Sequence, residues 1–181
     1  LWMAPNLITI FSFAFNLLSF LIIIYETNFS FEIKLSRFAL FMKAFSHLAY
    51  IILDNADGKQ ARRTKTPSPL GLLLDHGFDA ITTAIVAYNC SFILMMGNNS
   101  ICSYFVFVGL YFGYLIANYE EYRTGKMCLG KINGPDEGNS FVFLIALFSG
   151  IIGVDYFQEE IYGYRITNLI VLGFFFTSLL C

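Results

Sequence analysis

The sequence predicts an all-α fold, one polytopic integral-membrane domain over residues 1–181 built as a bundle of six transmembrane helices. Composition is the first observation behind this: the 181 residues are 57% hydrophobic and 13% charged, and the mean hydropathy is +0.64, too apolar for an ordinary soluble domain. The second is length, since a span needs roughly 20 apolar residues and the chain has room for about six with short connections. The third is punctuation, because the apolar runs end at clusters such as Thr66, Pro67, Ser68 and Pro69, or Gly97, Asn98, Asn99 and Ser100. A disordered chain is excluded. So is a nucleic-acid partner, because a net charge of −2 from 11 basic and 13 acidic residues attracts no polyanion.

Residues 4–25 form the first span, with Trp2 and Tyr25 near the headgroup boundaries and Pro5 in the first turn. Thr9, Ser12, Asn16 and Ser19 recur every three or four residues, a stripe suited to gluing helices together. The second span opens near Ser36 and runs past Asp54 and Asp57 towards Arg63. Lys43, His47, Tyr50, Asp54, Asp57 and Ala61 share one of its faces, and such a polar stripe must face protein or water. A third span covers residues 70–96 and opens with Asp75 and Asp79. The fourth, 101–118, carries Gly109 and Gly113 at a spacing that lets helices approach closely. Asn133, Gly134, Pro135, Asp136 and Glu137 read as a helix start, with proline in the first turn and acids near the positive end of the dipole. The fifth span is 141–154 and the sixth 165–180.

Charge orients the bundle. Lys59, Arg62, Arg63, Lys65, Arg123, Lys126 and Lys131 follow spans two and four, against Lys34, Arg37 and Arg165 on the other side, which places the first group and both chain ends in the cytoplasm. Cys90, Cys102, Cys128 and Cys181 have no paired spacing and read as packing residues, not as a zinc site or a disulfide framework. The first apolar run lacks the basic flank and cleavage site of a signal peptide, and Leu1 in place of Met implies residues upstream.

Asp54 and Asp57 are i,i+3 and Asp75 and Asp79 are i,i+4, so each pair shares a face, and the short loop between makes the two helices antiparallel neighbours. Four carboxylates converging at a membrane boundary repel one another unless cations hold them. Hard oxygen ligands favour Mg²⁺ or Mn²⁺, and two such ions can clamp the attacking and leaving oxygens of a phosphoryl displacement. Gly58, Ala61, Gly71 and Gly77 leave space among the acids, and Arg62 or Arg63 can offset phosphate charge. Phosphoryl transfer is the first reading of the residues, with an ion-paired structural cluster and a proton or cation pathway as the others.

The spacing Asp54-x2-Asp57-Gly58-x2-Ala61-Arg62-x8-Gly71-x3-Asp75-x3-Asp79, eight fixed positions across 26 residues, resembles the signature of the CDP-alcohol phosphotransferase family. LWMAPNLIT at 1–9, LDNADGKQARRTKTPSPLG at 53–71, DHGFD at 75–79 and NGPDEG at 133–138 are similar to its eukaryotic choline/ethanolamine branch. The resemblance implies a six-helix core and an enzyme that transfers phosphoethanolamine or phosphocholine from CDP-ethanolamine or CDP-choline to diacylglycerol, releasing CMP. It implies two Mg²⁺ or Mn²⁺ ions, one held by Asp54, Asp57 and Asp75 and one by Asp54, Asp75 and Asp79. It implies His76 as the base that deprotonates diacylglycerol, with Asp79 the competing candidate. Asn6, Gly58, Ala61, Arg62 and Gly71 correspond to the donor and nucleotide side of the motif. The membrane implied is the endoplasmic reticulum, with a mitochondrial membrane the alternative, and a homodimer or membrane complex is the implied assembly.

Two positions depart from the family pattern: Leu72 stands where members usually have glutamate, and Tyr119 opens a Y-E-E-Y run where they have W-x-x-Y. A second class of function keeps the fold without strong catalysis, as a structural or lipid-binding membrane subunit. A third uses CDP-diacylglycerol as donor with a small polar acceptor, against which the DHG and NGPDEG segments speak.

Overall fold

The computed structural model describes residues 3–97, 101–125 and 134–180, with side chains described except at 134–137 and 177–180. Leu1, Trp2, Asn98, Asn99, Ser100, Lys126, Cys128, Lys131, Asn133 and Cys181 lie outside the described residues, so the readings that fall on them do too.

Among the described residues six helices follow one another: α1 (Pro5–Thr27), α2 (Arg37–Thr64), α3 (Pro69–Ile93), α4 (Ile101–Thr124), α5 (Gly134–Ile152) and α6 (Ile166–Leu180). Their boundaries have local causes. Ser36 caps α2 by accepting the Ala39 N–H at 3.1 Å, and its own hydroxyl donates to Glu26 Oε1 at 2.6 Å, which ties the cap to the end of α1. Ser68 caps α3 through the Gly71 N–H at 3.0 Å, with Pro69 in the first turn, where its missing N–H is harmless. Helix α4 runs past the expected end at Asn118, because nothing in its next turn breaks a helix. A 3₁₀ turn, Val154–Gln158, and a two-residue hairpin, β1 (Glu160–Ile161) with β2 (Tyr164–Arg165), connect α5 to α6.

Helix α1 packs against α2 and α3, α2 also against α5, and α4 against α3 and α6. Ile23, Leu40, Phe92, Ile93, Val142 and Ala146 lie in the buried core where these meet. The α1 stripe does face protein: Thr9, Ser12, Asn16 and Ser19 are all buried. Ser12 donates to the Tyr50 carbonyl at 3.2 Å, and Asn16 Oδ1 accepts from Lys43 Nζ at 2.6 Å. Lys43 and His47 are wholly buried, whereas the opposite side of α2 exposes Phe38, Phe41, Phe45, Leu48 and Ile52. The close approach expected at Gly113 is not made, since a Cβ there would meet nothing within 4 Å. Gly109 is buried, and α4 packs without the second small residue.

Among the described residues three helices, α1, α3 and α4, are long and apolar enough to cross a membrane. Shorter apolar stretches lie in α5 and α6, and the polar face of α2 lowers its average although its outward residues are apolar. Lys34 pairs with Asp155, so the loop after α1 and the turn after α5 meet at the end of the bundle away from Asp54, Asp57 and Asp75. Cys90 is buried and Cys102 half-buried, neither in a disulfide among the described residues, in keeping with packing roles.

Candidate functional site

Residues 65–68 join α2 to α3, yet these helices are not the packed antiparallel neighbours that so short a loop implies: α1 packs against both, and α2 and α3 meet through side chains. One carboxylate oxygen each from Asp54, Asp57 and Asp75 lie within 4.8 Å of one another. Asp57 is buried and the other two are half-buried. Three like charges so close repel, and a hard cation coordinated by oxygen relieves the repulsion; the donor set therefore fits a divalent ion of the Mg²⁺ or Mn²⁺ kind.

Two of the site's acids are oriented by groups from other turns. Thr9 of α1 donates its hydroxyl to Asp57 Oδ2 at 2.6 Å, and the Gly58 N–H donates to Asp57 Oδ1. Asp79, one turn further along α3, stands outside the group of three. Its Oδ1 accepts the Tyr50 hydroxyl at 3.0 Å.

His76 turns towards α4. Its Nδ1 lies 2.8 Å from Asn118 Oδ1, its Nε2 lies 3.8 Å from Glu121 Oε2, and its carbonyl accepts the Tyr114 hydroxyl at 2.6 Å. Asn118 and Glu121 escaped the sequence reading, and so did the contacts of Thr9 and Tyr50 with the acids. Both of the latter stood on recognised polar stripes at the end nearest the aspartates. For Asn118 the available signal was a polar residue closing an apolar helix.

Asn6 of α1 meets the start of α3. A Cβ on Gly71 would come within 3.0 Å of Asn6 Oδ1 and 3.2 Å of Ser68 Oγ, so glycine at 71 is what allows α1 this near. A cleft of about 430 Å³ opens beside them, lined by Asn6, Gln60, Thr64, Thr66 and Ser68 among others. Arg62 folds back along α2, its Nη1 reaching 3.5 Å from where a Cβ on Gly58 would sit. Lys59, Arg62, Arg63 and Lys65 are exposed around this end of the bundle, and Ala61 is half-buried between them. The arrangement is an acidic centre able to hold a divalent ion, with exposed basic residues at the end of α2 and an imidazole next in sequence to Asp75, which suits a phosphorylated substrate.

Residues 2–175 match the family described as CDP-alcohol phosphatidyltransferase. Among proteins to which the chain is similar are an uncharacterized CDP-alcohol phosphatidyltransferase class-I family protein of Dictyostelium discoideum, 38% identical over 86% of this chain and 37% of that protein. Choline/ethanolaminephosphotransferase 1 of Arabidopsis thaliana is 34% identical over 89% of this chain and 40% of its own length. Cholinephosphotransferase 1 of Rattus norvegicus is 35% identical, with 86% of this chain and 39% of that protein covered. The chain thus spans about two fifths of the length of these relatives.

Proposed function

The chain belongs to the CDP-alcohol phosphatidyltransferase family, and from that premise we propose that it transfers phosphoethanolamine or phosphocholine from the CDP-alcohol to diacylglycerol. The observation that carries this reading is the meeting of Asp54, Asp57 and Asp75 within 4.8 Å, in a chain whose family is one of transferases. Similarity to choline/ethanolaminephosphotransferase and cholinephosphotransferase supports the head group and the lipid acceptor.

Asp54, Asp57 and Asp75 would hold one divalent ion and Asp54, Asp75 and Asp79 a second. When bound, such ions offset the charge that develops on the transferring phosphoryl group and its leaving oxygen. The protein's own residues do the rest. Asn6, Gly58, Ala61, Arg62 and Gly71 bind the nucleotide half of the donor, with the cleft beside Asn6 offering room and Arg62 a charge for phosphate. His76 takes the proton from the diacylglycerol hydroxyl: the O–H bond breaks as the new P–O bond forms, and CMP departs with the electron pair of the broken anhydride bond. Asp79 is the weaker base candidate, because one of its oxygens already accepts the Tyr50 hydroxyl. Thr9 and Tyr50 hold the carboxylates in place.

The same reading places all six helices across the membrane, with the acids at the cytoplasmic face and the endoplasmic reticulum as the compartment. Helix α2 supports this despite its charges, since the side chains it turns outward along its first turns are Phe38, Phe41, Phe45, Leu48 and Ile52, while Lys43, Ser46 and His47 among them are buried.

The test is transfer of labelled CDP-ethanolamine and CDP-choline to diacylglycerol by the purified protein in lipid, with Mg²⁺, with Mn²⁺ and with chelator. Product that depends on the metal supports the reading, and the ratio of the two donors gives the head-group preference. A folded protein that forms no product under any of these conditions overturns it.

A further inference from the structure

The connection between α5 and α6 carries a tyrosine where the backbone disfavours one. Tyr162 and Gly163 stand between β1 and β2 with φ of +53° and +80°, the left-handed pair that a two-residue hairpin turn uses. Asparagine or glycine suits such positions, whereas a bulky aromatic residue at positive φ is strained. The ring is also 97% exposed. A ring held out at a strained tip is favourable only where something outside the chain receives it.

The rest of the hairpin is two-sided. Glu160 pairs with Arg165 and Ile161 with Tyr164, and successive side chains on a strand point to opposite faces, so charge occupies one face and the Ile161–Tyr164 pair the other. Ile161 and Tyr164 are 43% and 62% exposed. The hairpin is not a free loop. Arg165 Nη1 donates to Gln158 Oε1 at 3.4 Å, Gln158 Nε2 donates to the Leu94 carbonyl at 3.0 Å, and Val154 and Phe157 are buried, which seats the connector on the end of α3.

Its place along the bundle says what receives the ring. The connector lies at the end opposite the acidic centre, where Asp155 meets Lys34. The apolar part of α5, Gly138–Ile152, is roughly 22 Å long at 1.5 Å per residue, against a hydrocarbon core of about 30 Å. With its Gly138 end level with one boundary, α5 stops about 8 Å short of the other, and the 3₁₀ turn and hairpin occupy that depth. Headgroups and upper acyl chains meet there, the layer in which a tyrosine ring and its hydroxyl are both satisfied.

We propose that the hairpin is an interfacial anchor whose partner is the headgroup layer of the leaflet opposite the acidic centre, with Tyr162 inserted and Ile161 and Tyr164 beside it. The anchor rests on the reading that all six helices cross the membrane, and adds to it the element that sets the depth of α5 and α6. It uses no residue of the acidic centre or of the nucleotide cleft.

Trp2 is the chain's one tryptophan, so a Trp2→Phe protein with Tyr162→Trp carries a single reporter at the tip. In phosphatidylcholine vesicles its emission lies to the blue of tryptophan in water. It loses more intensity to a lipid spin-labelled at the headgroup than to one labelled near the chain end, and little to acrylamide. Tyr164→Trp in the same background carries the test if Tyr162→Trp does not elute as folded protein in detergent. Leu172→Trp, half-way along α6 and exposed, checks the premise: it is quenched by the chain-end label. When Leu172→Trp responds in this way, three results at the tip overturn the anchor alone: water-like emission quenched by acrylamide, stronger loss to the chain-end label, or no loss to any quencher, the mark of burial against protein. If no lipid label quenches Leu172→Trp, the six-span reading falls and the anchor with it.

Discussion

Replacing Thr9 by valine removes one hydroxyl and little else, and the site makes its consequence calculable. That hydroxyl has one hydrogen and two acceptors in reach, the Pro5 carbonyl at 3.3 Å and Asp57 Oδ2 at 2.6 Å. The shorter contact, to a carboxylate, takes the hydrogen. A hydrogen bond to a charged group contributes roughly 1.5–3 kcal/mol, and 1.4 kcal/mol is about tenfold in an equilibrium constant. Asp57 keeps the Gly58 N–H on its other oxygen, which restrains it in part, so the lower end of that range applies. Valine preserves the branched shape in a buried position. The half-saturating concentration of Mg²⁺ or Mn²⁺ in the transfer assay should therefore rise about tenfold, within the range by which outer partners of metal ligands act. The rate at saturating metal should largely recover, and Thr9→Ser, which restores the donor, should return the midpoint towards wild type. Wild-type metal dependence in a folded Thr9→Val protein would refute the argument that this bond holds Asp57 as a ligand.

Asp54→Asn and Asp75→Asn should each abolish transfer while leaving the elution profile of the purified protein unaltered, and undiminished activity in either would end the two-ion assignment. Gly71→Ala pushes a methyl group against Asn6 Oδ1 and Ser68 Oγ, at 3.0 and 3.2 Å. Overpacking of this kind costs about 1 kcal/mol; the KM for the CDP-alcohol should rise several-fold with that for diacylglycerol constant, and the reverse pattern would remove Asn6 from the donor side. Leu72→Glu should raise activity or donor affinity, measured in the same assay; no change would mean that position 72 contributes nothing to donor binding.

The parts that were legible in the sequence are those written locally. Ser36 and the breakers at 66–69 mark helix ends by their own chemistry, and the start and end of α2 and the start of α3 lie within a few residues of where these signals put them. Asp54, Asp57 and Asp75 meet across the short loop as the spacing predicts, but Asp79 stays outside the group and α1, which packs against both α2 and α3, stands where the loop length implied direct packing of those two helices. What stayed hidden depended on distant chain or on weak periodicity. Asn118 meets His76 across 42 residues of sequence, and no pattern inside α4 reports what α3 places opposite it. The end of α4 was set too early because hydrophobicity stops at Asn118 while helical structure continues until Gly125, whose φ of +68° ends it. The hairpin after α5 has strands of two residues each, too short for any alternation to register, and turns on Gly163 at φ +80°.

The polar stripe of α1 does more than hold two helices together. Its contacts with α2 form an antiparallel ladder: Asn16 with Lys43 at 2.6 Å, Ser12 with the Tyr50 carbonyl at 3.2 Å, and Thr9 with Asp57 at 2.6 Å. The first two rungs lie among buried side chains, where an unmatched polar group is costly, so they resist a slip of one helix along the other. The third rung is at the site. A shift of α1 by one residue, about 1.5 Å of rise and 100° of rotation, would carry Thr9 off Asp57 and strand Lys43 without Asn16. The geometry of the acidic centre is therefore set partly at its own loop and partly some 16–21 Å deeper, at the lysine 11 residues before Asp54 and 14 before Asp57. That coupling gives an energetic reason for a lysine to lie fully buried in a chain this apolar: it fixes the register on which one of the three converging carboxylates depends.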